Sequence, residues 1–289
     1  MRIGSLYNDG NIKAVQEVHL DSWKADLHNT GDIVSVQGDV KLYANQNLYN
    51  GNEDSSGNIT AKNQIELTAY KGNVVNYGNM ESQTSSVALT GAGIYKTELN
   101  NNYDVFSDIT NYGSITAAEA VLLCTANGNI NNLNQITSQN STVTIKAEQH
   151  QDYLGQVAVG DIRNGAGETF DTDAEITAAK GISLQAVGSI LNVGDNLVTD
   201  VGDINVQTQG SIANIGDYSL AKDGNIKVTA GQEVINNGEY RINGNGSINV
   251  KATGVVTETE GEKTAAGGDI INFGNYYTKS GNITMTSHD

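Results

Sequence analysis

The stretches GISLQA at 181–186, GDINVQT at 202–208, GNIKVTA at 224–230 and GSINVKA at 246–252 are four copies of one short pattern. Their isoleucines, Ile182, Ile204, Ile226 and Ile248, lie 22 residues apart. Within each copy, apolar and polar residues alternate until a small residue closes the run, which is the two-residue period of a β-strand. The four stretches therefore predict four equivalent strands, one in each 22-residue unit.

The same unit recurs over nearly the whole chain. A unit of this length cannot bury its own apolar face, whereas stacked copies bury a continuous core. We therefore predict an all-β fold, a right-handed parallel β-helix, in which residues 1–289 form a single domain. The remaining copies begin at Val18, Val40, Ile65, Val87, Val121, Val143 and Ile283.

An asparagine follows each ordinary strand by six or seven residues, usually in the sequence Asn-x-Gly. Eleven such positions imply about eleven coils, and a spacing of roughly 4.8 Å per coil would give a rod about 50 Å tall. Inward asparagines at one height of every coil can bond to each other in a ladder; alternatively, they serve only the backbone of a turn. Both roles are structural. The predicted ladder residues are Asn76, Asn111, Asn132, Asn164, Asn192, Asn214, Asn236 and Asn272, preceded by Asn8, Asn29 and Asn50.

The composition excludes several classes of function. The chain has no proline, which suits continuous hydrogen-bonded ladders because proline has no amide donor. The formal charge of −17 argues against nucleic-acid partners and anionic membrane surfaces.

No run of apolar residues approaches the 18 that indicate a membrane span, so we expect no membrane insertion. A lone cysteine, Cys124, cannot form an internal disulfide. Both ends look cut, so we expect the natural protein to be longer.

Insertions interrupt the repeat at two corners of the predicted coil. Three large ones, near 94–108, 148–159 and 254–266, fall between the apolar strand and the asparagine and therefore leave from one corner. A smaller one, near 165–173, follows Asn164 on another corner. Insertions are where a solenoid usually carries its specific function. The sequence 258–263 in the third insertion is interpreted as a mobile, solvated tip.

Aromatic residues collect at the corner with the three large insertions. These rings lie near the acidic residues Asp104, Asp108, Glu148 and Asp152. Together they could form a carbohydrate- or protein-binding surface. The alternative is that the rings cover their own loops and lean on the shaft. The candidate ligand-binding residues are Trp23, Tyr70, Tyr95, Tyr103, Phe106 and Tyr153.

Many parallel β-helices cleave polysaccharides, so an enzyme must be considered. The chain lacks the Asp-Asp and His-Gly pairs of pectinase-like hydrolases. The best candidate for catalysis or calcium binding is Arg163, which lies between Asp161 and the acidic stretch 171–175. Solvated loop charge is far commoner than either role. We therefore expect no catalytic residues, no metal and no cofactor.

The units GNIKVTAG at 224–231 and VINNG at 234–238 resemble the repeats of filamentous haemagglutinin and related two-partner-secretion exoproteins. That family alternates Gly-x-Ile-x-Leu-x-Ala with Leu-x-Asn-x-Gly, and the resemblance covers nearly the whole chain except the insertions. It implies export through an outer-membrane transporter, display at the bacterial cell surface, and a role in adhesion and virulence or in toxin delivery. The family's Asn-Pro-Asn-Leu motif does not occur in this sequence, so we expect an internal piece of a shaft.

These observations together predict a structural shaft segment of a secreted bacterial surface adhesin. Loops on one corner would bind a host glycan or protein receptor. Two alternatives stay open: a toxin-delivery stalk of a contact-dependent inhibition system, and a polysaccharide lyase or hydrolase of the β-helix type.

Overall fold

The protein is a parallel β-helix of eleven coils, with three 11-stranded parallel sheets that we call A, B and C. This computed structural model describes residues 4–92, 107–148, 150–151, 157–158, 160–165, 174–194, 196–259 and 262–288. Each coil contributes one strand to each sheet, in the order A, B, C along the chain. The predicted fold class and the predicted number of coils are confirmed.

The strand bounds show how regular the coils are. Sheet A comprises Leu6–Asn8, Leu27–Asn29, Leu48–Asn50, Val74–Asn76, Ile109–Asn111, Ile130–Asn132, Ile162–Asn164, Ile190–Asn192, Ile212–Asn214, Val234–Asn236 and Ile270–Asn272. Sheet B comprises Ile12–Ala14, Ile33–Ser35, Ile59–Ala61, Met80–Ser82, Ile115–Ala117, Ile136–Ser138, Glu175–Ala178, Asn196–Thr199, Asp217–Leu220, Glu239–Asn245 and Asn275–Ser280. Sheet C comprises Val18–Ser22, Val40–Ala44, Ile65–Ala69, Val87–Gly91, Val121–Thr125, Thr142–Ala147, Gly181–Ala186, Ile204–Thr208, Ile226–Ala230, Ile248–Ala252 and Ile283–Ser287.

The core lies inside the coils and is built from columns of like residues. In sheet C, Ile182, Ile204, Ile226 and Ile248 pair in register and are at most 2% exposed. In sheet A, the first and third residues of each ordinary strand point inward and the middle one points outward, so a strand of three residues suffices. The repeat pattern predicts sheet C and the asparagines of sheet A. It does not predict sheet B, because six of the eleven strands have only three residues, too few for a recognisable alternation, and no single residue type marks the sheet as asparagine marks sheet A.

The glycine of Asn-x-Gly is required by a close approach between coils. A Cβ added at Gly216 would overlap the carbonyl oxygen of Gly194, and one added at Gly238 would overlap that of Gly216. Glycine at these positions lets the backbone of one coil turn directly above that of the coil before it.

The insertions leave the shaft where the repeat pattern places them. Three segments, between Gly91 and Ile109, between Ala147 and Ile162, and between Ala252 and Ile270, connect sheet C to sheet A. The segment between Asn164 and Glu175 connects sheet A to sheet B.

The insertions also add local structure that the pattern does not predict. In the third one, Val255–Thr259 pairs with Glu262–Ala266 in an antiparallel ladder. In the second, His150–Gln151 pairs with Val157–Ala158. A further short insertion, at 51–57, lies at the corner between sheets A and B in coil 3, where the Asn52 amide donates to the Ser55 carbonyl at 2.7 Å.

Candidate functional site

The asparagines of sheet A form an unbroken ladder inside the coils. Each Nδ2 donates to the Oδ1 of the asparagine in the next coil, and the ten links from Asn8 to Asn272 measure 2.7–2.9 Å. Several of them also serve the turn: Asn214 Nδ2 donates to the Gly216 carbonyl at 2.6 Å. The two alternative roles predicted from the sequence, a ladder between coils and support of the turn backbone, are therefore filled by the same side chain. The predicted ladder residues that the structure places here are Asn76, Asn111, Asn132, Asn164, Asn192, Asn214, Asn236 and Asn272.

Two of the predicted ligand-binding rings lie at the corner between sheets C and A. Trp23 follows the sheet C strand of coil 1 and is 81% exposed. Tyr70 follows that of coil 3 and stacks on Tyr43 with ring centroids 6.4 Å apart. The other four, Tyr95, Tyr103, Phe106 and Tyr153, lie outside the described residues.

The same corner carries a shallow polar depression at the root of the second insertion. It has a volume of about 470 Å³ and is lined by Lys146, Glu148, Gln185, Gln207 and their neighbours. Lys146 and Glu148 form an ion pair across it. Its described lining contains no aromatic ring, so hydrogen bonding rather than stacking would dominate any binding there.

Cys124 points outward from sheet C, between Thr90 and Lys146 of the neighbouring coils. Burial raises the pKa of its thiol, the Glu148 carboxylate raises it further, and Lys146 lowers it. Because the thiolate is the nucleophile, we expect alkylation by iodoacetamide at pH 8 to be slower in the folded protein than in denaturant. The rate profile against pH should have its midpoint above that of the unfolded chain, and E148Q should move the midpoint down. Identical profiles for the folded and unfolded chains would contradict this.

Arg163 lies on the outer face of sheet A. Its guanidinium is 3.5 Å from the Asp161 carboxylate, and it is half exposed. Its register neighbours are Asn131 and Leu191, neither of which ionises. The acidic residues 171–173 lie outside the described residues, so the surroundings that the structure defines give Arg163 a single carboxylate partner.

A column of stacked rings runs up the outer face of sheet A. Tyr7, His28 and Tyr49 occupy the outward position of coils 1 to 3, with ring centroids 4.7 and 4.8 Å apart and nearly parallel planes. In coils 4 and 5 the same position holds Val75 and Thr110. The column of rings therefore ends at Tyr49, and smaller side chains occupy the same outward position in the next two coils.

A second stack stands beside the end of the first. Tyr77 and Tyr112 are the middle residues of two Asn-Tyr-Gly turns, and their rings are parallel with centroids 4.5 Å apart. Burial raises the pKa of Tyr77, and Tyr112, Glu53 and Tyr49 raise it further, so Glu53 of the short insertion lies within electrostatic range of this phenol.

The two stacks and the short insertion border an open cleft of about 560 Å³, a volume within the usual range for ligand sites. We call it the tyrosine cleft; it is lined by His28, Thr30, Tyr49, Gly51, Asn52, Glu53, Asp54, Val75, Tyr77, Thr110 and Tyr112. It lies toward the corner between sheets A and B, whereas Trp23 and Tyr70 lie at the corner between sheets C and A. Two signals in the sequence point to it: the 21-residue spacing of Tyr7, His28 and Tyr49, and the two Asn-Tyr-Gly turns.

The described part of the chain lacks a metal-binding cluster and a membrane-spanning helix. It contains no group of three His, Cys, Asp or Glu side chains that could hold a metal ion. Within that same part, no helix is long and apolar enough to cross a membrane.

Comparisons with protein-family models, with curated proteins and with solved structures found no match to this chain.

Proposed function

We propose that this chain is a structural shaft segment of a secreted bacterial surface adhesin. The observation that carries the proposal is the continuity of the three 11-stranded sheets and of the asparagine ladder through all eleven coils. Bending such a rod would stretch the hydrogen bonds between coils in whichever sheet lies on the convex side. A stiff, regular rod suits a part that holds a binding region away from a cell.

The repeat pattern supports the finer part of the proposal. The alternation of Gly-x-Ile-x-Val-x-Ala with x-Ile-Asn-x-Gly resembles filamentous-haemagglutinin repeats, and this favours export through an outer-membrane transporter to the cell surface. The acidic net charge of −17 suits an extended solvated rod. Three insertions at one corner supply positions where a host glycan or protein receptor would be contacted.

The test is made in the full-length protein, in the bacterium that produces it. We expect replacement of 94–108 and 148–159 by ordinary turns to reduce adhesion to host cells to the level of a strain without the protein. Shortening 165–173, an insertion on the other corner, is the matched control and should leave adhesion unchanged. Surface exposure of an epitope tag should be equal in all strains that make the protein, because the shaft itself is kept.

Three outcomes would contradict this proposal. Unchanged adhesion after deletion of the whole segment would remove the role in adhesion. Loss of killing of neighbouring bacteria, with adhesion retained, would indicate a toxin-delivery stalk. Release of oligosaccharides from a polysaccharide by the purified chain, abolished by R163A, would indicate an enzyme.

A further inference from the structure

The tyrosine cleft offers an aromatic face on which no ring of the described residues stacks. His28 stacks on one face of Tyr49, with the two planes 15° apart. On the other side, the register partner is Val75, whose side chain is smaller than a ring. Space is therefore left above Tyr49, and the cleft occupies it.

The permanently charged residues that line this cleft have one sign. Glu53 and Asp54 are part of its lining and are exposed, and the lining contains neither lysine nor arginine. A cleft lined by one sign of charge concentrates counter-ions of the other sign. Phosphate, sulfate and carboxylate groups would be repelled, whereas a cation would be attracted both by the carboxylates and by the negative face of the ring.

The shaft already contains a cation held over a tyrosine at this spacing. In sheet B, the Arg241 guanidinium carbon lies 4.8 Å from the centroid of the Tyr277 ring, and the two residues are register partners in adjacent coils. At Tyr49 the equivalent position in the next coil is Val75. A cation in the cleft would have to come from outside the coil stack.

The length of the cleft indicates what would carry that cation. Its lining runs from His28 in coil 2 to Tyr112 in coil 5. Three coil spacings are about 14 Å, which is the length of about four residues of extended peptide. Thr30, Asn52 and Thr110 supply hydrogen-bonding groups along it. A compact ion would fill one end only, while an extended chain would follow the whole cleft.

We infer that the tyrosine cleft binds an extended basic segment of a partner protein, with a lysine or arginine side chain over the open face of Tyr49. Glu53 and Asp54 neutralise the charge of the segment. This site goes beyond the proposed role as a shaft. It is tested on the isolated chain, so its failure leaves the shaft untouched, and failure of the shaft leaves the cleft untouched.

The experiment titrates fluorescein-labelled acetyl-tetralysine amide with the purified 289-residue chain and follows fluorescence anisotropy at two salt concentrations. We expect saturable binding that weakens as salt rises. Y49A should raise Kd about tenfold, as expected for one partly desolvated cation–π contact. Y49F should restore it, because phenylalanine keeps the aromatic face. The double variant E53Q/D54N should weaken binding and flatten its salt dependence.

Matched controls separate the cleft from general acidity. Tyr7 is the far end of the same ring column and does not line the cleft, so Y7A should leave Kd unchanged. Glu81 is exposed on sheet B, so E81Q should also have no effect. Circular dichroism melting of each variant shows that it is folded.

Three results would overturn the inference. The first is no binding of tetralysine. The second is tetralysine binding that Y49A weakens no more than Y7A does. The third is that labelled tetraglutamine or a neutral tetrasaccharide binds more tightly than tetralysine, which would show that the cleft prefers an uncharged ligand.

Discussion

Replacing Asn214 by alanine should lower the free energy of unfolding by roughly 2–6 kcal/mol, because two buried polar groups, the Asn192 side-chain amide and the Gly216 carbonyl, are left unpaired and each costs about 1–3 kcal/mol. Asn214 accepts from Asn192 at 2.8 Å and donates to Asn236 at 2.9 Å. It also donates to the Gly216 carbonyl, and it is 1% exposed. Water cannot reach the amide and carbonyl groups that the change leaves unpaired.

The matched control for Asn214 is N272A at the end of the ladder. Asn272 accepts from Asn236 at 2.9 Å, and it also accepts from the Gly274 amide and donates to the Gly274 carbonyl. It is exposed, so water can replace the side-chain amide that the change removes. We expect a loss of about 1 kcal/mol there. The measurement is guanidinium chloride unfolding followed by circular dichroism, with the slope checked for a single transition because repeat arrays can unfold in parts. Equal losses at the two positions would show that the ladder does not stabilise the shaft.

A second large effect is expected at Tyr240, inside sheet B. Y240A should cost about 3–5 kcal/mol, the usual cost of removing a large buried aromatic side chain. Tyr240 and Tyr218 are both fully buried, and their rings are parallel with centroids 4.6 Å apart. Burial holds the pKa of both phenols above the usual value of 10, so they stay neutral at physiological pH.

The conservative variant Y240F is expected to behave in the opposite way. Within the described structure, the buried Tyr240 hydroxyl has no hydrogen-bond partner. Its removal should therefore leave stability unchanged or raise it by about 1 kcal/mol, since an unsatisfied buried polar group is itself unfavourable. The readout is the shift of the guanidinium midpoint for both variants. A loss above about 1.5 kcal/mol in Y240F would mean that the hydroxyl is bonded, for example by an internal water.

The buried tyrosines of sheet B recur at the spacing of the repeat, but the strand pattern does not show whether their side chains face inward or outward. Tyr218 and Tyr240 are 22 residues apart, like the isoleucines of sheet C. The inward position of sheet B in the coil before them holds Leu197, which pairs with Tyr218. Only the register of sheet B shows that these rings belong to the core, whereas Tyr277, the residue after Tyr276, faces outward and is 43% exposed.

The amino-acid sequence alone determined the coil. The 22-residue spacing of Ile182, Ile204, Ile226 and Ile248, with their two-residue alternation, is a local property and predicts sheet C and the stacking of its strands. The asparagine positions likewise predict the number of coils. The insertions are visible because they break a regular spacing.

The tertiary structure decided what the coils bring together. Tyr49, Tyr77 and Tyr112 are 28 and 35 residues apart. The two spacings differ because insertions of different length separate the coils and because Tyr77 follows Val75, the register partner of Tyr49, rather than replacing it. They line one cleft because parallel pairing aligns the strands regardless of the length of chain between them. Sheet B and the buried tyrosines depend on the same alignment. A repeat pattern in the sequence shows which positions are equivalent from coil to coil. The tyrosine cleft and the buried tyrosine stack arise where such equivalent positions hold different residues in neighbouring coils.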